Sequence, residues 1–178
     1  YLAVPEVSSE NRRYIPIAFL SPSVIASNKL QIVVGATLYH LGVLSSSMHM
    51  AWVRAVVGRL KSDYSYSPAV YNNFPWPSEP AEKQRTAIED AAQFVLDARD
   101  AHPEATLADL YDPVAMPPDL RRAHQTLDKV VDAAYGKKGF ATDAERVAFL
   151  FELYHKYTSL FPAPGTKKKG GKRAVKQA

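Results

Sequence analysis

Residues 58–77 read GRLKSDYSYSPAVYNNFPWP, and they decide how the neighbouring segments are interpreted. The first half of this stretch places Lys61, Asp63 and Ser65 at alternate positions. Because side chains alternate between the two faces of a β-strand, a strand here puts these three residues on one face and Tyr64 and Tyr66 on the other. A cation, a carboxylate and a hydroxyl make a poor core face, so this face is expected to be open.

An open polar face of this kind can read DNA bases or simply meet solvent. Lysine donates hydrogen bonds to guanine O6 and N7, and aspartate accepts one from cytosine N4, so the row suits recognition of base edges. Most charged runs are solvated, and on pattern alone a surface pair of Lys61 and Asp63 is the more common outcome. The pattern therefore leaves both interpretations open.

The part of the chain before Asn72 is expected to be β-rich with one embedded helix. Apolar or β-branched runs predict strands at 1–7, 14–20, 30–34 and 37–43. Gly35 and Ala36 separate the last two runs, which predicts a hairpin. Ser45–Ser47 supply N-cap hydroxyls for a helix whose apolar residues recur at helical spacing from Met48 to Leu60.

Asn72–Pro77 marks a boundary, because two prolines and two aromatic residues in this segment exclude a helix and favour an extended linker pinned by its rings. Helix formers dominate beyond it, and helices are predicted at about 80–101, 107–111, 118–135 and 143–160. Short connections between them predict antiparallel packing. The predicted fold class is therefore α+β: a small β-rich domain over 1–77, a helical domain over 78–161 and a disordered basic tail over 162–178.

Charge is divided unevenly along these three parts. Residues 1–77 hold six Lys/Arg and three Asp/Glu, residues 78–161 hold ten and fifteen, and residues 162–178 hold six and none. A polyanion is therefore attracted to the first part and repelled by the second. The tail is most simply a solubilising segment, with nonspecific attraction to phosphates as the alternative.

Several classes of function are excluded on composition and motif. The chain has no cysteine, which excludes disulfides and thiolate metal sites. Its five histidines form no HxxxH pair, which argues against a histidine metal site. No apolar run approaches the roughly 20 residues of a membrane span. Asn73–Trp76 carries the letters of a methyltransferase Asn-Pro-Pro-aromatic motif in the wrong order, and Gly136–Gly139 follows a helix, not the strand that a cofactor loop needs. The chain is interpreted as non-catalytic on its own, without a cofactor or metal site.

Long segments of the sequence resemble one family. GRLKSDYSYS followed by YNNFPWP resembles the end of the target-recognition domain of MmeI-like restriction-modification DNA methyltransferases (type IIL/IIG). YLAVPEVSSENRRYIPIAFLSPSVIASNKL, TLYHLGVLSSSMHMAWVR and LADLYDP…MPPDLRRAHQTLDKVVDAAYG resemble the same family, so that the resemblance covers about residues 1–160. It implies a target-recognition domain followed by a C-terminal helical domain. The absence of an initiator Met agrees with a C-terminal piece of a longer polypeptide.

The resemblance also implies a function and its residues. The parent enzyme would be bacterial and cytoplasmic, would methylate adenine N6 with S-adenosylmethionine in a methyltransferase domain of the same polypeptide, and would use Mg²⁺ where it also cuts DNA. Double-stranded DNA is the implied partner, and no membrane is involved. The implied base-reading residues are Glu6, Asn28, Lys29, Lys61, Asp63 and Ser65. Candidate phosphate contacts are Arg54 and Arg59, although cations are also favoured at a helix C-terminus.

Two alternatives of other classes remain at this stage. The chain can be a non-catalytic protein-interaction module whose acidic helical half docks a partner while the β-rich half serves as scaffold. It can also be a specificity subunit acting in trans, against which the absence of a second recognition repeat argues.

Overall fold

The computed structural model describes residues 1–159, and the predicted basic tail at 162–178 lies outside the described residues. The elements follow in the order β1 (Leu2–Pro5), β2 (Val7–Ser8), β3 (Ala18–Phe19), β4 (Leu30–Val33), α1 (Leu38–Leu44), α2 (Ser47–Val56), β5 (Gly58–Leu60), β6 (Asp63–Ser65), α3 (Pro68–Asn72), α4 (Glu82–Asp100), α5 (Leu107–Leu110), α6 (Pro118–Ala134) and α7 (Asp143–Ser159). Small sheets precede long helices, which confirms the α+β class.

The strands form two small antiparallel sheets that meet at one residue. The first sheet has the order β3-β1-β4 and the second the order β2-β6-β5. Glu6 lies between β1 and β2 and serves both: its N–H donates to the Lys29 carbonyl (2.9 Å), and its carbonyl accepts from the Tyr66 N–H (2.7 Å). The two sheets are therefore fixed to each other through the backbone of a single residue.

The predicted strand at 37–43 is wrong, because this segment forms helix α1. The Thr37 N–H donates to His40 Nδ1 (3.1 Å) and so closes the first turn. Leu41, Val43 and Leu44 are all 0% exposed, so the helix is buried on several sides and shows no amphipathic period. A short apolar run of this kind cannot be assigned from periodicity, which is why β-branched content misled the prediction.

The predicted continuous strand through Lys61 is also wrong. Helix α2 begins as expected, with Ser46 as N-cap, and it ends at Val56, shortly before Gly58 and Arg59, which were predicted to end it. Gly58–Leu60 and Asp63–Ser65 instead form an antiparallel hairpin, and Lys61 and Ser62 are its two-residue loop.

The aromatic linker is pinned as expected. Phe74 is 3% exposed, and the Trp76 ring lies 5.4 Å from that of Phe74. Two tyrosines later in the chain hold its backbone, since the Tyr135 hydroxyl donates to the Pro75 carbonyl (2.9 Å) and the Tyr157 hydroxyl to the Trp76 carbonyl (3.2 Å). The linker is thus embedded in the structure that follows it.

The long helices α4, α6 and α7 and the short helix α5 confirm the helical content expected after Pro77. α4 packs against α6 and α1, and α7 packs against α2. Buried residues from both halves of the chain belong to one hydrophobic core. Among residues 1–159, none of the helices is both long and apolar enough to cross a bilayer.

Candidate nucleic-acid interface

The β5–β6 hairpin carries three of the expected base-reading residues. Leu60 pairs with Asp63, so Lys61 stands at the exposed tip of the hairpin. The φ of Lys61 is +57°, which lies in the left-handed region that side chains with a Cβ rarely adopt. The backbone thus presents Lys61 beyond the sheet and not within a strand.

Cross-strand pairs define the two faces of this hairpin. Directly paired residues share a face, so Arg59 lies on the face of its partner Tyr64, which is 4% exposed. The opposite, open face carries Asp63 and Ser65, as the alternation predicted. Lys61 lies in the loop that connects the two strands, so strand alternation does not assign it to either face.

Two apolar side chains on this open face were missed by sequence reasoning. Leu60 is 57% exposed opposite Asp63, and Val7 is 38% exposed opposite Ser65. Three-residue strands leave no alternation long enough to reveal them. Apolar groups beside polar ones are suited to a surface that meets both base edges and thymine methyl groups.

The remaining expected residues form a second group at the end of the first sheet. Lys29 Nζ lies 3.6 Å from Glu6 Oε2, with the lysine side chain 75% exposed. Asn28 precedes Lys29 in an exposed turn. The group adjoins the hairpin, because the Glu6 carbonyl accepts from the Tyr66 N–H and the next residue, Val7, pairs with Ser65. The fold therefore brings together residues that are up to 59 positions apart, from Glu6 to Ser65.

A polar segment at 9–13, which we call the bracing loop, supports the hairpin. The Glu10 N–H donates to Asp63 Oδ1 (3.4 Å), and the Tyr64 hydroxyl donates to the Glu10 carbonyl (3.4 Å). Arg59 donates to the Ser62 carbonyl (2.8 Å) and lies 3.4 Å from the Glu10 carboxylate. Its guanidinium also stacks 4.3 Å from the centre of the Tyr64 ring. Arg59 therefore fixes the hairpin loop to the bracing loop.

Arg54, the other candidate phosphate contact, is engaged within the protein as well. It forms an ion pair with Asp143 at the start of α7 and donates to the Arg13 carbonyl (3.3 Å). It lies in the last turn of α2, where a cation is favoured by the helix dipole. A contact from Arg54 or Arg59 to phosphate stays a prediction.

The histidines of this region have structural partners. His49 is completely buried, with Nδ1 2.8 Å from the Leu44 carbonyl and Nε2 3.0 Å from the Tyr66 hydroxyl. Burial lowers the pKa of His49 from 6.5 to about 4, so the ring is neutral at physiological pH. Within residues 1–159 no cluster of three or more His, Asp or Glu side chains is arranged to hold a metal ion.

Comparison with known proteins shows the family to which the chain belongs. Residues 1–78 match the family model described as the MmeI target recognition domain, and residues 80–161 match the MmeI C-terminal domain. The chain therefore has the order of a target recognition domain followed by a C-terminal domain. The chain belongs to the MmeI family.

Individual relatives agree with this family. DNA methyltransferase A of Bacillus subtilis (strain 168) is 46% identical over 158 residues, which are 88% of this chain and 18% of that protein. A solved structure of the Type IIL restriction-modification enzyme MmeI in complex with DNA is similar at a TM-score of 0.85 and 53% identity, over 89% of this chain and 21% of that one. The chain thus spans about one fifth of the length of these relatives.

Proposed function

We propose that this chain selects the DNA sequence at which a longer enzyme methylates adenine N6 with S-adenosylmethionine. The methyltransferase domain of the same polypeptide would bind that cofactor, and Mg²⁺ would serve DNA cleavage in a parent that also carries a nuclease. The observation that carries the proposal is the β5–β6 hairpin, which places the exposed Lys61 in its loop and the half-buried Asp63 at the start of β6. This hairpin lies within the segment that matches a target recognition domain.

Lys61 and Asp63 have the chemistry to read one base pair. Lys61 donates to O6 and N7 of guanine, while Asp63 accepts from N4 of the paired cytosine. Because the Glu10 N–H holds Asp63 Oδ1, the carboxylate keeps its second oxygen for the base. A matched contact of this kind contributes about 1–3 kcal/mol of discrimination against the wrong pair.

Glu6 and Asn28 are proposed to read a second position, with Glu6 accepting from a cytosine amino group. The exposed pair between Glu6 and Lys29 does not oppose this role, since surface ion pairs contribute only about 0–1 kcal/mol and open readily. Lys29 and Ser65 complete the proposed reading surface.

Exchange of the two hairpin charges tests the proposal directly. Lys61→Glu with Asp63→Arg in the full-length parent is expected to convert one position of the methylated site from G to C, as mapped by sequencing of methylated DNA. The matched control exchanges two exposed charges on α4, Lys83→Glu with Asp90→Arg, and is expected to leave the site unchanged.

An unchanged site in the hairpin variant would show that Lys61 and Asp63 are only a surface pair. Loss of all methylation with an intact fold would favour phosphate anchoring over base reading. Absence of DNA binding by the wild-type parent at any salt concentration would favour the protein-interaction module instead.

A further inference from the structure

A polar groove lies where the bracing loop meets the helices of the C-terminal half. We call it the junction groove. Its walls include Arg12, Arg13, Ser47, Arg54, Asp143 and Arg146. Residues of the bracing loop thus face the N-terminal part of α7 across a concave, strongly polar surface.

The acidic groups of the junction groove already have partners. Asp128 accepts from the Ser47 N–H (2.6 Å), the Ser47 hydroxyl (2.7 Å) and the Tyr14 hydroxyl (2.7 Å). Asp143 pairs with Arg54 and also lies 3.5 Å from Arg146. These carboxylates are therefore neutralised or fully hydrogen-bonded in place.

Arg12 and Arg13 differ from the other cations of the junction groove. Within residues 1–159 neither side chain has a carboxylate within ion-pair distance. Arg12 is half-buried and Arg13 is exposed. The lining of the junction groove holds four arginines and three carboxylates, which gives a net charge of +1. Arg12 and Arg13, the two arginines without an ion-pair partner in the described residues, are adjacent in sequence.

The backbone of this arginine pair is held on both sides. The Arg12 N–H donates to the Ser9 carbonyl (3.2 Å), and the Arg13 carbonyl accepts from Arg54 (3.3 Å). The next residue, Tyr14, is 1% exposed and its ring stacks 4.0 Å from that of His124. A fixed backbone lowers the entropy lost when the two side chains meet an anion.

We propose that Arg12 and Arg13 bind phosphates of the DNA backbone in the junction groove, and this inference rests on the proposed function. The bracing loop that carries them also holds Asp63 through the Glu10 N–H, only two residues before Arg12. Two or three residues of chain span at most about 7–11 Å, so the backbone of the arginine pair is close to the reading hairpin. Guanidinium groups pair with phosphate oxygens in a fork, which fixes register without reading sequence. The C-terminal domain thereby supplies one wall of a backbone-binding site.

Salt-dependent DNA binding by the full-length parent tests this site. Arg12→Gln with Arg13→Gln is expected to weaken binding to a duplex with the methylation site and to one without it by the same factor. Each phosphate contact contributes about 0.9 to the slope of log K against log salt, so the slope is expected to fall by about 2. Arg12→Lys with Arg13→Lys keeps both charges and is expected to restore most of the slope.

A second adjacent pair provides the matched control. Arg121 and Arg122 are exposed on α6, and Arg121→Gln with Arg122→Gln is expected to leave affinity and slope unchanged. An unchanged slope in the Arg12/Arg13 variant, with a wild-type unfolding midpoint, overturns the site. A loss confined to the site-containing duplex overturns it too, because that result assigns base reading to the pair. Failure of the wild-type parent to bind DNA overturns both the proposed function and this site. An unchanged slope in the variant of a parent that binds DNA overturns the site alone.

Discussion

At the scale of single residues, Lys61 combines a strained backbone conformation with a side chain proposed to read a base. Two substitutions distinguish these effects. Its φ of +57° costs about 1–2 kcal/mol for a residue with a Cβ, whereas glycine adopts it freely. Lys61→Gly is therefore expected to raise the free energy of unfolding relative to Lys61→Ala by about 1 kcal/mol, as measured by urea denaturation.

On the proposed function, both of these variants lose the same base contact. Methylation mapping is expected to show equal relaxation at one position of the site in the two proteins, in spite of their different stability. Unequal relaxation would indicate that loop conformation, and not the amino group, sets specificity.

Removal of the Asp128 carboxylate is expected to lower the stability of the fold. Asp128→Ala leaves the buried Tyr14 hydroxyl and the first N–H of α2 without acceptors, which is expected to lower the free energy of unfolding by about 2–4 kcal/mol. Tyr14→Phe removes one donor and is expected to cost about 1 kcal/mol. Denaturation of both single variants and the double variant checks this, since the shared hydrogen bond predicts a combined loss smaller than the sum. Additive losses would contradict the direct coupling of the two residues.

At the scale of elements, α1 depends on a glycine for its contact with α4. A Cβ at Gly42 would lie 2.6 Å from Ile88 Cγ2, 3.1 Å from the Ile88 carbonyl oxygen and 3.3 Å from Ala92 Cβ. Gly42→Ala is expected to lower the free energy of unfolding by about 1–3 kcal/mol, because overpacking outweighs the gain in helix propensity. Gly58→Ala is the control, since nothing lies within 4 Å of its Cβ position. Equal denaturation midpoints for the two variants would show that α1 and α4 accommodate the added methyl group without a loss of stability.

Some of these helices could be predicted from sequence patterns and others could not. The predicted helices at about 80–101 and 118–135 correspond to α4 (Glu82–Asp100) and α6 (Pro118–Ala134), because long amphipathic segments with clear ends carry their own signal. α1 carries no such signal, since what makes it a helix is its close contact with α4, more than 40 residues later.

The candidate interface was predictable to a similar extent. Alternation placed Asp63 and Ser65 on one face, but the turn that puts Lys61 at a tip depends on the three-residue strand β5, which is too short to recognise. The arginine pair of the junction groove was not predictable, because its surroundings depend on Asp128, 114 positions from Tyr14.

At the scale of the whole molecule, the shared core predicts that both halves of the chain unfold together. α1 packs on α4 and α2 on α7, so neither half retains its buried surface alone. Calorimetry is expected to show one transition, and Leu41→Ala and Leu127→Ala, one in each half and both 0% exposed, are expected to shift that same transition downward. Two transitions, each affected by one variant, would contradict this and would support the division at residue 77 as a boundary between independently folding domains.

Two buried histidines predict how stability depends on pH. Burial lowers the pKa of His49 from 6.5 to about 4, and burial together with the nearby Arg99 lowers that of His124 from 6.5 to about 3. Below pH 6.5 the unfolded chain therefore binds protons that the folded chain does not. The free energy of unfolding consequently falls as the pH falls from 6.5 toward the pKa values of the folded state. Each histidine contributes about 1.4 kcal/mol per pH unit.

Denaturation of wild type and His124→Gln between pH 5 and 6.5 measures this effect. The variant is expected to show a smaller dependence on pH, and comparison of the two proteins cancels the contribution of other groups such as Asp132, whose pKa is raised by burial. Identical dependence would show that His124 is protonated in the folded state.

The backbone bonds of Glu6 have a consequence for how such a chain changes over evolutionary time. The two sheets are joined there by a peptide N–H and a peptide carbonyl, and not by the carboxylate. Many side chains can stand at this position while the scaffold persists, although proline cannot because it lacks the N–H. Asn28 and Lys29 are exposed, so their side chains can vary in the same way. If these side chains read bases, as the proposed function holds, selection on folding and selection on target choice act on different atoms. On that function, a lineage acquires a new genomic target through one or two substitutions at these positions without passing through an unfolded ancestor.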